Sequence, residues 1–254
     1  MAFLSVDVKD YIATVTYSNP PANTTTVESY LAIRDTFHAI DQRDDIKVVV
    51  FTGAGKIFVA GNDAGAFEPF YERGAAAHMY DTIRNAKMAI KNCKYPTIGA
   101  INGAAVGAGF SFAACCDMLV AVEGAKFMLS EIKVGLIGAD GFASMLVPEK
   151  VLRYLALSGN PVTAEQIAGW GGIHKVVPRE KLMDTAYDLA KELASNSRRS
   201  LMLWKKCLNM NYDHDLARKF DNNMQCTVEF QAYEDFYEAS KAFLEKRDPV
   251  YNNK

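Results

Sequence analysis

Two carboxylates in this chain stand out by the company they keep. Glu131 and Asp140 lie in Leu129-Ser130-Glu131-Ile132-Lys133-Val134-Gly135-Leu136-Ile137-Gly138-Ala139-Asp140-Gly141, a mostly apolar stretch punctuated by glycine. Burial raises a carboxyl pKa and favours its neutral form, so an acid among such neighbours has either a partner or a proton to move. Taken singly, each is equally well read as an ordinary exposed acid. Two other stretches offer main-chain chemistry. Phe58-Val59-Ala60-Gly61-Asn62-Asp63 follows the loop Gly53-Ala54-Gly55-Lys56, and its small residues let a ligand approach the backbone closely. Asn102-Gly103-Ala104-Ala105-Val106-Gly107-Ala108-Gly109 runs into a helix start, where unpaired N–H groups and a partial positive charge suit an anion or a developing oxyanion. It lacks the Gly-Lys-Ser/Thr ending of a P-loop, and Phe112 stands where G-x-G-x-x-G requires glycine. A surface turn and close helix packing are the plain structural alternatives for these two runs.

The elements that must position them follow from periodicity. Phe3 to Val8 and Ile12 to Tyr17 read as a hairpin turning at Lys9-Asp10, and Thr25-Thr26-Val27-Glu28 resembles a capping box ahead of Tyr30, Ile33, Phe37 and Ile40 at helical spacing. Val48 to Thr52 is a continuous β-branched and aromatic run, as expected of a strand buried on both faces. It ends just before the Ala60 segment, at the strand end where α/β proteins bind ligands. Met79, Ile83, Ala86, Ile90 and Cys93 mark a long amphipathic helix stopping before Pro96. A strand at Thr97 to Ile101, a helix from Gly107 and a strand at Met118 to Val122 complete an alternation that predicts βαβ units and a mostly parallel sheet. Past Thr163 the reading is helical at Thr163 to Trp170, Glu180 to Asn196, Ser200 to Asn211 and Leu216 to Phe243, with one short strand near Ile173 to Val177.

Composition narrows the class. The chain has 254 residues, half of them apolar, and a formal net charge of −2, which gives no electrostatic argument for a nucleic-acid or membrane partner. Five cysteines without C-x-x-C spacing argue against a disulfide framework or a zinc site, and His38, His78, His174 and His214 show no ligand spacing. The first ten residues carry acids and no apolar run of signal length, and no segment is apolar for long enough to span a bilayer. The expectation is a soluble, cytoplasmic protein without a metal.

Together the three stretches, in order and spacing, resemble the crotonase (enoyl-CoA hydratase/isomerase) superfamily from about Phe3 to Arg247. Ala60-Gly61-x-Asp63 is similar to that family's first oxyanion-hole segment. Asn102 to Gly109, closing on Cys116-Asp117, is similar to the second, and Ala242-Phe243-Leu244-Glu245-Lys246-Arg247 to its terminal helix. The resemblance implies an α/β crotonase-like fold. Repeated ββα units would form a spiral core over 1–199, with a helical trimerisation region over 200–254. It implies that the Ala60 and Ala108 amides polarise an acyl-CoA thioester carbonyl, and that the backbone from Ala60 through Gly61 and Asn62 to Asp63 touches the CoA. Phe243 and Lys246 would reach the CoA of a neighbouring subunit, in a homotrimer or a dimer of trimers. No separate cofactor is implied, because coenzyme A is part of the substrate.

Departures from the family pattern bear on the reaction. Family hydratases have two glutamates; this chain has Glu131 at one position and Ser111 at the other. Paired carboxylates can hold a water between them and deliver its hydroxyl and proton across a double bond, whereas a serine is a poor base. Glu131 as main acid/base suffices for double-bond migration through an enolate. Ser111 with Glu131 is also similar to the hydroxycinnamoyl-CoA hydratase-lyases. Asp140, where hydratases have a small residue, reads either as a second acid/base, resembling the acid of the dienoyl-CoA isomerases (with a one-residue offset) and of some carbon–carbon bond hydrolases, or as a capping residue for the next turn. Two rival classes remain. One is a serine hydrolase built on Gly109-Phe110-Ser111-Phe112-Ala113 with Asp140 and His174, although its nucleophile elbow needs a strand running straight into the serine. The other is a non-catalytic binding protein on the same fold. Phe67, Phe70, Tyr71 and Met79 are candidates for a pocket lid, and core or surface packing explains them equally well.

Overall fold

The computed structural model describes residues 3–66, 76–212 and 215–251; Phe67, Phe70, Tyr71 and His214 lie outside them. Its strands are β1 (Leu4–Lys9), β2 (Ile12–Tyr17), β3 (Val48–Gly53), β4 (Thr97–Ile101), β5 (Ala105–Val106), β6 (Met118–Val122), β7 (Lys126–Met128), β8 (Val162–Thr163) and β9 (Lys175–Val177). The order β1-β2-β3-β4-β6-β9 forms the main sheet, antiparallel only at the β1–β2 hairpin. That hairpin turns at Asp10 and Tyr11, one residue later than expected, with φ of 52° and 64°. Paired positive φ values match the strand twist in a two-residue turn.

The first helices are α1 (Val27–Asp41), α2 (Ala76–Asn92), α3 (Ala108–Cys115) and α4 (Asp140–Ala143). After them come α5 (Glu149–Ser158), α6 (Ala164–Gly169), α7 (Leu182–Ala194), α8 (Arg198–Tyr212), α9 (Leu216–Phe230) and α10 (Glu234–Leu244). Successive residues of a strand face opposite sides of its sheet. In β3, Phe51 meets Phe37 of α1 and Phe112 of α3. Thr14 pairs in register with Val50, on the opposite face, and hydrogen-bonds Tyr187 of α7. Every residue of β3 is buried, as the unbroken apolar run requires. The result is the α/β core expected, with helices on both faces of a mostly parallel sheet.

Further features differ from the sequence reading, among them the unforeseen helix α5. The capping box of α1 runs from Thr26 to Ser29, because the Ser29 hydroxyl reaches the Thr26 amide at 2.8 Å. A second sheet, β5-β7-β8, was not foreseen; its strands are two or three residues long, too short for periodicity to register. The helical stretch Leu216 to Phe243 is broken at Gln231–Tyr233 into α9 and α10. The break turns the chain back, so that Phe236, Ala239 and Ser240 pack on the 131–135 turn. There Gly135, at φ 76°, leaves room that a Cβ would fill at 2.9 Å from the Phe236 carbonyl oxygen.

Candidate functional site

Two loops are fastened together before any side chain can act. The Asn102 side chain donates to the carbonyls of Gly53 and Gly55 and accepts from the Gly53 amide. Asn23 ties the same loop through the carbonyls of Ala54 and Ile57. Val59 and Ala105 form a parallel bridge, and Gly109 lies so close to Val59 that a Cβ would meet its carbonyl oxygen at 2.2 Å. Ala60 and Ala108 are thereby brought to one cavity, whose wall also includes Gly61, Asn62, Glu131 and Phe243. Among the described residues neither the Ala60 nor the Ala108 amide donates a backbone hydrogen bond. Ala108 opens α3, where an amide has no partner within the helix.

Glu131 begins the 3-10 turn Glu131–Val134. Gly107, at φ 52°, lets the carboxyl lie against the main chain; a Cβ there would sit 3.1 Å from Oε1. Oε2 is buried without a hydrogen-bond partner. Burial pushes the Glu131 pKa up to about 7; a hydrogen bond from its own main chain and, after it, the positive charge of Lys87 oppose that rise, and the negative charge of Asp140 adds to it. A carboxyl that titrates near neutrality can both take and return a proton. Glu131 stands where three cavities meet, one with the two free amides, one of about 540 Å³ and one with Lys87.

The other expected residues divide. Asp140 shares the larger cavity with Glu131, and its Oδ1 accepts a 2.6 Å bond from Asn223 of α9. Ser111 is fully buried in α3, donates a long 3.4 Å bond to the Gly107 carbonyl, and is absent from the walls of the three cavities. Asp63 shapes its own turn, accepting from the Ala66 amide at 3.0 Å. Phe243, expected at a neighbour's CoA, is 49% exposed and lines this chain's own cavity. Lys246 lies in the turn after α10, its amide bonded to the Phe243 carbonyl. For a serine hydrolase, the strand-to-serine elbow is absent: Ser111 sits in the middle of α3.

Sequence reasoning missed four residues. Lys87, only 5% exposed, lines a small cavity with Glu131 and Ala108, its Nζ 5.1 Å from the ring centroid of Phe142 and 5.6 Å from that of Phe220. Its position was legible: 87 follows Ile83 by four and precedes Ile90 by three, on the apolar stripe of α2. Tyr30 donates to Asn62 Oδ1 at 2.7 Å, and its hydroxyl is held strongly un-ionised, chiefly by burial. Thr227 and Asn223 of α9 clamp the loop between Glu131 and Asp140. Thr227 Oγ1 bonds both the amide and the carbonyl of Ile137, and Asn223 bonds Asp140. Nothing local in the sequence marks that pair. Among the described residues, no cluster of His, Cys, Asp and Glu is placed to hold a metal, and no helix is long and apolar enough to cross a membrane.

Known proteins resemble this chain over most or all of its length. A family model described as Enoyl-CoA hydratase/isomerase matches residues 7–254. The (7aS)-7a-methyl-1,5-dioxo-2,3,5,6,7,7a-hexahydro-1H-indene-carboxyl-CoA hydrolase of Rhodococcus jostii (strain RHA1) is 32% identical over 209 residues, covering 82% of this chain and 81% of that protein. The 1,2-epoxyphenylacetyl-CoA isomerase of Escherichia coli (strain K12) is 31% identical over 264 residues, covering 100% of each. The crystal structure of carnitinyl-CoA hydratase from Mycobacterium avium is 30% identical and matches with a TM-score of 0.85 over 100% of both chains. The chain is an enzyme of the enoyl-CoA hydratase/isomerase family, built on the crotonase fold.

Proposed function

We propose that the protein acts on an acyl-CoA thioester through an enolate, with Glu131 as the principal acid/base. The amides of Ala60 and Ala108 hold the thioester oxygen as it becomes negative. Fixed donors need no reorganisation when charge develops, so each such amide is worth about a hundredfold to a thousandfold in rate. The observation that carries this reading is the unbonded, buried Oε2 of Glu131 on one cavity with two unengaged amides. The favoured reactions are double-bond isomerisation, or hydration of an unusual enoyl-CoA. Ser111 has no carboxyl to share a water with Glu131, and its hydroxyl is turned to the Gly107 carbonyl just ahead of its helix. No cofactor beyond the CoA moiety enters the scheme.

Asp140 supports a second reading, carbon–carbon bond hydrolysis, because it faces the same cavity as Glu131. The Rhodococcus jostii relative is named as a hydrolase, so that class stays within reach of the fold. Incubation with enoyl-, dienoyl-, hydroxycinnamoyl- and oxoacyl-CoA thioesters, followed by mass, separates the outcomes. A gain of water means hydration and an unchanged mass with a new spectrum means isomerisation, while two fragments mean cleavage. Slow turnover of crotonyl-CoA is expected. Hydration of it at a kcat/KM within about tenfold of the diffusional ceiling contradicts the reading.

A cytoplasmic homotrimer, or a pair of trimers, completes the proposal. Leu203, Trp204, Leu208 and Met210 of α8 are exposed, an apolar face that a subunit interface would cover. Light scattering at micromolar concentration should report a multiple of three chains; a monomer contradicts it.

A further inference from the structure

The small cavity beside Glu131 has one charged wall that the enolate scheme does not use. Lys87 lines it from α2, with Ile83 one turn before it, and its polar lining also includes Glu131, Asn223, Tyr30, Asn62 and Tyr80. The Lys87 side chain is only 5% exposed, its ammonium lies against the rings of Phe142 and Phe220, and it makes no hydrogen bond or ion pair among the described residues. Aromatic faces attract a cation but accept none of its three N–H bonds in full, and burying a cation without acceptors is costly. Leucine or methionine would fill this helix position without that cost. The carboxyls nearby do not meet the need. Asp140 is engaged by Asn223, and Glu131 Oε2 stays unbonded although Lys87 feels its charge. Burial pulls the ammonium towards its neutral form, while Glu131, Cys115 and Asp140 favour the charged one.

Resting on the acyl-CoA reading above, we infer that Lys87 is a specificity residue whose ammonium binds a second oxygen of the acyl group, so that the substrates are thioesters whose acyl chain bears a keto or carboxyl oxygen. The cavity holds about 60 Å³, enough for the oxygen-bearing end of a short chain and too little for a long alkyl tail. An oxygen there satisfies the ammonium, and it does so within reach of the carboxyl assigned to move the proton. Keto and carboxyl groups present the same acceptor chemistry. Asp140 already supplies one negative charge to the cluster, so the two groups differ in the charge they add.

The test is calorimetric binding to the full chain of pentanoyl-CoA, levulinyl-CoA and glutaryl-CoA, which share a chain length and differ in the distal oxygen. The pair hexanoyl-CoA and adipoyl-CoA extends the series. Wild type should bind at least one oxygenated thioester about tenfold to a hundredfold more tightly than its plain partner, the usual yield of a charge-assisted hydrogen bond. The levulinyl and glutaryl arms then say whether the oxygen is keto or carboxyl. In Lys87→Met that ratio should fall to about one, and in Lys87→Gln, which keeps a neutral donor, to an intermediate value. No preference in wild type, or a preference that survives both substitutions, overturns the inference while leaving the acyl-CoA reading intact, because pentanoyl-CoA still binds. Binding of no thioester at all overturns both.

Discussion

Two lysines in this chain are buried to nearly the same degree and live in opposite circumstances. Lys205, 4% exposed, bonds Asp117 Oδ2 at 2.7 Å and the Tyr95 carbonyl at 2.9 Å. Asp117 Oδ2 accepts in turn from the amide and hydroxyl of Thr97. Lys87 shares a cavity wall with a carboxyl it does not bond, and its ammonium rests on aromatic rings. A satisfied buried pair anchors structure, here fixing α8 to the start of β4. An unsatisfied pair keeps its interaction capacity for something that arrives later. Polar groups left open in an otherwise well-paired interior are where function is to be sought.

Substitution should separate the two regions cleanly. The largest effect expected is Glu131→Gln, which should cut turnover about a hundredfold to ten-thousandfold while thioester affinity stays within severalfold. Steady-state kinetics on whichever thioester the mass screen selects would read both. The same substitution should not cost stability. Between pH 4.5 and 7 the unfolded glutamate ionises while the folded one keeps its proton, so its contribution falls as pH rises through that window. Relative to wild type, Glu131→Gln should therefore be more stable at pH 8 than at pH 5, by up to about 3 kcal/mol. Paired thermal or urea melts at the two pH values give the number, and a relative stability that is flat with pH contradicts it.

Lys205→Met attacks the satisfied pair and should destabilise by about 3–5 kcal/mol, because it strands a partly buried carboxylate. Lys87→Met should be neutral or stabilising, since it removes a cation that lacks hydrogen-bond acceptors. Equal losses in the two variants would erase the contrast between the regions. Gly109→Ala should cost about 1–3 kcal/mol and lower activity as well, because the new methyl forces apart the segments that carry the two amides. Smallest is Ser111→Ala: its 3.4 Å bond predicts a loss below about 1 kcal/mol and a rate within severalfold of wild type.

The same contrast explains what could be read from the sequence. Main-sheet strands such as Thr97 to Ile101 and Met118 to Val122 were legible to the residue, because each is a short run at the strand position of the strand–helix alternation. The pairing of the Ala60 and Ala108 amides followed from the family resemblance, while the close approaches that make room for it, Gly107 against Glu131 and Gly109 against Val59, appear only in the structure. Lys87 went unread although it interrupts the apolar stripe of α2, since a lysine at one such position passes for helix surface until packing is known. Asn223 and Thr227 lay beyond reach: their partners are more than eighty residues away, and only the packing of α9 on the 137–140 loop brings them together.

The central claim, that Glu131 is an open carboxyl poised to exchange protons, can be tested without a substrate. Carbon-13 NMR of the free enzyme labelled at glutamate side-chain carboxyls, with the Glu131→Gln spectrum to identify the resonance, gives its titration midpoint. A midpoint near pH 7, moving higher in Lys87→Met as the neighbouring positive charge is lost, is the predicted result. A midpoint near 4.5 that ignores Lys87→Met would contradict it.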